Sequence, residues 1–139
     1  MKIVIDTNVL VSALKFRQGA SHLLVSLLPM KKFSIAISVP LVLEYEAVLR
    51  RGGLSKEITQ KDLSDFIDFL CSVGLRQDIF FLWRPFLSDP SDNLVLEVAV
   101  AANCDAIITY NKRHFGNIEK FGLRVLDPKE FLVEIGEIS

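Results

Sequence analysis

The sequence predicts an α/β protein, a three-layer α/β/α sandwich around a central, mainly parallel sheet. Short apolar segments rich in β-branched or aromatic residues alternate with segments whose apolar residues recur every three or four positions. This alternation is typical of parallel sheets, because each crossover between strands lays a helix on one face. The predicted strands are residues 2–5, 33–37, 79–83, 106–109 and 123–126, and the predicted helices are 20–30, 41–51, 59–71 and 91–102.

Length and composition fit one globular domain that spans residues 1–139. Half of the residues are hydrophobic, yet no uninterrupted apolar run approaches the roughly 18 residues that cross a bilayer, so we expect no membrane partner. The first residues lead directly into a strand without a secretory signal, which predicts a cytoplasmic location. Cys71 and Cys104 are isolated in apolar surroundings, and we expect both to be buried, reduced thiols.

The balance of charges argues against a surface that is basic throughout. The formal net charge is −1, so contacts with nucleic acid would depend on local patches such as Arg50-Arg51 or Lys112-Arg113. An apolar run at residues 80–83 leaves room for a dimer contact, and a homodimer is therefore expected.

Asp6 directly follows the first predicted strand, where a parallel sheet presents the carboxyl ends of its strands to ligands. A carboxylate that gives up water there needs a cation or hydrogen-bond donors. Asp6 is therefore the first candidate metal ligand, beside the expected topological switch point of the sheet. Asn8, in the same polar triplet, is a supporting candidate.

An acid that follows a strand lies at the same edge of the sheet as Asp6, and an acid that precedes a strand lies at the opposite edge. This sheet-edge rule sorts the other acids. Asp105 and Asp78 precede predicted strands, which places them at the opposite edge as surface residues. Asp127 begins an Asp-Pro-Lys-Glu sequence that is typical of a capped helix start. These three acids are not expected in the site.

Three further acids are predicted at the same edge of the sheet as Asp6. Asp92 lies in the first turn of a helix that follows a strand, and Asp89, just before that helix, could cap it or support the site. Glu44 lies near the start of another such helix. Its neighbour Glu46 has Arg50 four residues on, which predicts an ordinary surface ion pair and leaves Glu44 as the better candidate.

The polar segment after the fourth strand should meet the same edge. Thr109 and Asn111 could orient water or a ligand, or could simply form a turn. Lys112 and Arg113 could contact a phosphate, although adjacent cations on a loop are often only solvated. The two histidines lack partner motifs, which disfavours Ser-His-Asp or Cys-His chemistry.

Converging carboxylates predict a divalent cation, since like charges a few ångströms apart raise one another's pKa. Oxygen ligands without His or Cys favour Mg²⁺ or Mn²⁺. Such ions activate water for phosphodiester hydrolysis, with Asp6, Glu44 and Asp92 as the catalytic, metal-binding residues.

Four motifs occur in order along nearly the whole chain: IVIDTNVL at 3–10, PLVLEY at 40–45, DPSDN at 89–93 and TYNKRHF at 109–115. Together they resemble PIN domains, and are similar to the VapC-like toxins of prokaryotic toxin–antitoxin pairs. The resemblance implies a metal-dependent ribonuclease that acts on RNA, is often dimeric and is inhibited by a small antitoxin protein. By position it assigns three acids to Asp6, Glu44 and Asp92 and a hydroxyl to Thr109, but many relatives have Asp where this chain has Asn111.

Other functions remain open from the sequence. The same fold could serve as a housekeeping RNA-processing nuclease without an antitoxin. Asn111, where a fourth acid is expected, also allows an inert RNA-binding or assembly module. A phosphatase with Asp6 as covalent nucleophile is disfavoured, because no second Asp follows two residues later.

Overall fold

A computed structural model describes residues 1–79 and 87–139. Its centre is a five-stranded sheet in which every pair of neighbouring strands is parallel. The α/β prediction is confirmed. The strands are β1 (Lys2–Ile5), β2 (Ser34–Ile37), β3 (Leu75–Arg76), β4 (Ala106–Ile108) and β5 (Arg124–Leu126).

Helices cover both faces of this sheet. Ile3, Val4 and Ile5 of β1 point to alternate faces, and each is at most 2% exposed. No helix in the two described ranges is long and apolar enough to cross a membrane. The helices are α1 (Thr7–Lys15), α2 (Ala20–Ser26), α3 (Val39–Arg50), α4 (Gln60–Val73), α5 (Pro90–Ala101) and α6 (Pro128–Glu134).

The strand order β3-β2-β1-β4-β5 places the topological switch point between β1 and β4. The chain winds outward from β1 to β2 and β3, and later returns to the other side of β1 as β4. In such sheets the crevice at the carboxyl ends of the two switch-point strands is the usual ligand site. Ile5 pairs with Ile108 at these ends, so Asp6 and Thr109 follow neighbouring strands, as expected.

The third strand differs from the prediction. The strand predicted over 79–83 falls largely outside the described residues, as does the expected dimer contact at 80–83, and Ile79 itself is not in a strand. The observed β3 is a two-residue edge strand whose side chains are exposed, so no buried apolar pattern marked it. Asp78 therefore follows a strand, and the reason given for excluding it was wrong. It is nevertheless an exposed residue, as expected, with an ion pair to Arg76 at 3.4 Å.

Three local predictions also need correction. The helix α1 was not predicted, although Asp6 caps it and Val9, Leu10 and Ala13 form its buried face. The helix predicted over 20–30 ends at Ser26, and a 3-10 turn over Leu28–Met30 contains Pro29, which cannot donate a helical hydrogen bond. Cys104 is buried as expected, but Cys71 is exposed on α4.

Gly74 should be the most sensitive glycine for packing between α4 and β2. A Cβ added there would lie 2.7 Å from Ile37 Cδ1 and 2.9 Å from the Leu70 carbonyl oxygen. We expect Gly74→Ala to lower the free energy of unfolding by about 1–3 kcal/mol in urea denaturation, because the core must shift to admit the methyl group. Gly116→Ala is the matched control, since its Cβ would meet only the Arg113 carbonyl oxygen at 3.9 Å. Equal losses in both variants would contradict this account.

Candidate metal centre

Asp6 lies at the carboxyl end of β1 and is only 6% exposed. Its Oδ1 accepts a hydrogen bond from the Thr7 backbone N–H at 2.8 Å, so the side chain caps α1. The buried Tyr45 hydroxyl donates to the carbonyl of Ile5, directly before Asp6. The Asp6 carboxylate is therefore held at the start of α1, and the strand end that carries it is held by Tyr45 of α3.

The second oxygen of Asp6 belongs to a small polar network. Its Oδ2 accepts from Thr109 Oγ1 at 2.7 Å and from Asn8 Nδ2 at 3.3 Å. Asn8 Oδ1 in turn accepts from the Tyr110 backbone N–H at 3.2 Å. Thr109 is fully buried, and its hydroxyl also accepts from the Asn111 N–H at 2.9 Å. The predicted supporting residues Asn8 and Thr109 thus contact Asp6, whereas Asn111 joins through its backbone.

Asp92 and Asp89 lie at the start of α5. Asp89 is the N-cap residue, and its Oδ1 accepts from the Ser91 N–H at 2.9 Å. Asp92, in the first turn, is 6% exposed. A pocket of about 220 Å³ is lined by Ser88, Asp89, Asp92, Arg113 and His114. Asp89 therefore caps the helix and also lines the pocket beside Asp92.

The acids affect one another electrostatically. Burial raises the pKa of the Asp92 carboxyl from 3.8 to about 6, and the negative charges of Asp6 and Asp89 add to this increase. Burial also raises the pKa of Asp6, while the hydrogen bonds from Thr109 and Thr7 oppose the increase. Ionising both buried acids is thus unfavourable without a compensating cation.

Glu44 lies on α3 and reaches the start of α5. Its Oε1 accepts from Ser91 Oγ at 3.0 Å, next to Asp92 in sequence. Glu46 instead forms the predicted ion pair with Arg50, at 3.4 Å. Arg50 also donates to Ser64 of α4 at 2.8 Å, so this member of the Arg50-Arg51 patch links two helices.

The segment after β4 contains a contact that the sequence did not predict. His114 Nδ1 lies 3.1 Å from Asp92 Oδ2, although the two residues are separated by 22 positions. Of the two proposed RNA contacts, Lys112 pairs with Glu130 at 2.7 Å, whereas Arg113 lines the pocket beside Asp92. No sequence motif signalled the His114 contact, because it depends on how the segment after β4 packs against the start of α5.

Asp105, which the edge rule excluded, and Asp127, which the helix-start motif excluded, lie where they were predicted. Asp105 accepts from the backbone N–H of Lys2 at 2.8 Å, at the amino end of β1. Asp127 caps α6 and accepts from the Glu130 N–H at 2.8 Å, with the reciprocal bond also formed. Both predictions are confirmed.

The donor set suits a hard divalent cation, although it is not a complete cage. Within residues 1–79 and 87–139, no three acidic, histidine or cysteine side chains lie close enough together to hold an ion. Asp6 and Asp92 nevertheless offer two carboxylates whose ionised forms a cation would stabilise. Mg²⁺ commonly keeps several waters as its remaining ligands. The ligand roles of Asp6, Asp92 and Glu44 remain predictions.

Thr109→Val should test the network around Asp6 with almost no change in side-chain volume. The valine removes the donor to Asp6 and the acceptor for the Asn111 N–H, so we expect a loss of about 1–3 kcal/mol in the free energy of unfolding. Urea denaturation measures the loss. Thr109→Ser keeps the hydroxyl and should lose clearly less; a serine variant as unstable as the valine variant would contradict the role of the hydrogen bonds.

The fold and the acids at its switch point define the class of protein. A family model for the PIN domain matches residues 2–113, and the chain belongs to this family. The resemblance to PIN domains found in the sequence is confirmed. No curated protein matches the chain.

A solved structure has the same fold. The chain is similar to one from the crystal structure of VapBC2 from Rickettsia felis bound to a DNA fragment from their promoter. The match has a TM-score of 0.62 and 19% sequence identity, and it covers 91% of this chain and 100% of the other. At this identity the similarity shows a shared fold.

Proposed function

We propose that this protein is an Mg²⁺- or Mn²⁺-dependent endoribonuclease that acts as the toxin of a toxin–antitoxin pair. The observation that carries the proposal is the pair of buried acids, Asp6 and Asp92, at the switch-point edge of a PIN domain. Their raised pKa values favour a cation as the missing partner.

Asp6 and Asp92 would hold the ion, and Glu44 is the third proposed ligand. When bound, the ion would lower the pKa of a water and stabilise the leaving oxygen of a phosphodiester. The chain's own contribution is orientation: Thr109 and Asn8 donate to one oxygen of Asp6, and Ser91 donates to Glu44. Groups fixed in this way need little reorganisation during the reaction.

The RNA backbone would approach past the loop after β4. Arg113 is the stronger candidate for a phosphate contact, since it lines the acidic pocket, whereas Lys112 is paired with Glu130. With a net charge of −1, the protein would rely on such local cations for RNA binding. We therefore expect Arg113→Ala to weaken RNA binding more than Lys112→Ala does, as measured by fluorescence anisotropy.

A small antitoxin and a second copy of the chain are the proposed protein partners. The shared fold with a chain of the VapBC2 complex supports the antitoxin, and its gene should neighbour that of this protein. Co-expression of the two should neutralise toxicity and yield a stable complex. Normal growth of cells that express the chain alone would remove the toxin role and favour a housekeeping nuclease.

Expression toxicity and RNA cleavage test the proposal together. The native chain should arrest growth and cleave RNA in the presence of Mn²⁺, and EDTA should stop the cleavage. A chain that binds RNA but neither binds Mn²⁺ nor cleaves would instead be the inert module that the uncharged Asn111 keeps open.

A further inference from the structure

The loop formed by residues 109–114 reaches both acids of the candidate metal centre. At its start, Thr109 donates to Asp6 at 2.7 Å, and at its end His114 Nδ1 lies 3.1 Å from Asp92 Oδ2. Internal bonds hold the two ends together: the Asn111 N–H donates to Thr109 Oγ1 at 2.9 Å, and the His114 N–H donates to the Asn111 carbonyl at 2.9 Å. One short loop can therefore set the orientation of both carboxylates.

The backbone of His114 is well anchored. The next residue, Phe115, is 1% exposed and fixes the 3-10 turn in the core. The His114 side chain is 49% exposed, whereas that of Asp92 is 8% exposed. The imidazole thus lies over a buried carboxylate, so the bond is partly shielded from water and differs from an ordinary surface pair.

The two acids differ in how they are oriented. Asp6 accepts from Thr7, Thr109 and Asn8. For the Asp92 side chain, His114 is the only hydrogen-bond partner found among residues 1–79 and 87–139. Without this bond, no hydrogen bond from those ranges would fix the rotation of the Asp92 carboxylate.

We propose that His114 is a positioning residue for the metal centre: its Nδ1–H donates to Asp92 Oδ2 and leaves Oδ1 of the same carboxylate turned to the ion. The inference rests on the proposed function and deepens it. Asn111 stands where a fourth acid is expected, and it closes the turn through its backbone carbonyl. The loop instead contributes the His114 imidazole, which acts through Asp92. Mutation of a residue that orients a metal ligand typically weakens metal affinity by about 10–100-fold.

Titration calorimetry with Mn²⁺ on the full chain tests this role. His114→Ala should weaken Mn²⁺ binding by about 10-fold. His114→Asn should recover most of the affinity, because its amide nitrogen can occupy the position of Nδ1. The control is His22→Ala, which should bind Mn²⁺ normally, since the Nδ1 of His22 hydrogen-bonds to the Ala13 carbonyl of α1, at 3.1 Å, and not to an acid of the metal centre.

RNA cleavage supplies a second readout. At saturating Mn²⁺, His114→Ala should cleave within about 3-fold of the native rate, because the orientation of Asp92 limits affinity for the ion and not the chemical step. A rate that stays low at saturating Mn²⁺ would overturn the positioning role. Unchanged Mn²⁺ affinity in His114→Ala, or an Asn variant as weak as the Ala variant, would also overturn it.

A double-mutant cycle in metal-free protein separates this inference from the proposed function. His114→Ala should lower Tm in the native background but have little effect in Asp92→Asn, since only the native pair is a charge-assisted contact. Additive effects would overturn the inference even if the native chain binds Mn²⁺. Coupling between the two residues in a chain that binds no Mn²⁺ would overturn the proposed function, and with it the role of the contact in metal binding.

Discussion

Replacing Asp6 with Asn is expected to abolish RNA cleavage while making the folded protein more stable. The loss of one ion ligand removes several kcal/mol of transition-state stabilisation, which corresponds to a rate loss of about 10²-fold or more. Burial raises the pKa of Asp6, so its ionised form opposes folding at neutral pH, and a neutral amide removes that cost. The Asn oxygen can still accept from the Thr7 N–H and cap α1. Single-turnover cleavage and thermal unfolding measure the two effects.

Asp68→Asn is the matched control for this substitution. Asp68 is exposed on α4, so the change in charge is the same but the residue lies away from the acids at the switch point. Cleavage and Tm should stay near native values. Cleavage retained in Asp6→Asn, or lost equally in both variants, would contradict the central role of Asp6.

Asp92→Asn should flatten the pH dependence of stability. The folded pKa is about 6 and the ordinary value 3.8, so the folded protein binds more protons between these pH values, and its stability falls as pH rises through this window. The loss is complete above about pH 6. Removing the charge should therefore stabilise the protein at pH 7 by about 1–2 kcal/mol, after allowance for solvent screening, with little change near pH 4. Urea denaturation at a series of pH values measures this difference.

Mn²⁺ should offset the loss of stability that the ionised Asp92 causes in the native chain. Because the ion favours the ionised carboxylates, it should raise the Tm of native protein at pH 7 and have far less effect on Asp92→Asn. The same stabilisation of both proteins by Mn²⁺ would place the ion elsewhere. A stability difference between Asp92→Asn and the native chain that does not grow between pH 4 and 6 would contradict the electrostatic description of Asp92.

The sheet-edge rule explains how much of the site the sequence could predict. The rule depends only on whether an acid follows or precedes a strand, and the alternation of apolar segments shows this directly. It placed Asp6, Thr109 and Asp92 at the switch-point edge and Asp105 at the opposite one, as the structure has them. Helix-start chemistry similarly identified the cap at Asp127.

Features that depend on tertiary packing escaped prediction. The edge strand β3 consists of two exposed residues, so it carries no apolar pattern. Because this strand was not predicted, Asp78 was expected to precede a strand, whereas it follows one. The contact between His114 and Asp92 joins a loop to a helix start 22 residues away, and neither residue type nor spacing signals it. The helix α1 was also missed, although its N-cap Asp6 and its buried residues Val9, Leu10 and Ala13 are a local signal.

A crystal structure of the native chain soaked in Mn²⁺ would test the central claim most directly, because the anomalous signal locates the ion. We expect one strong peak at the switch-point edge, within coordination distance of carboxylate oxygens of Asp6 and Asp92, with water completing the shell. A peak away from both acids, or none at a concentration that supports RNA cleavage, would contradict it.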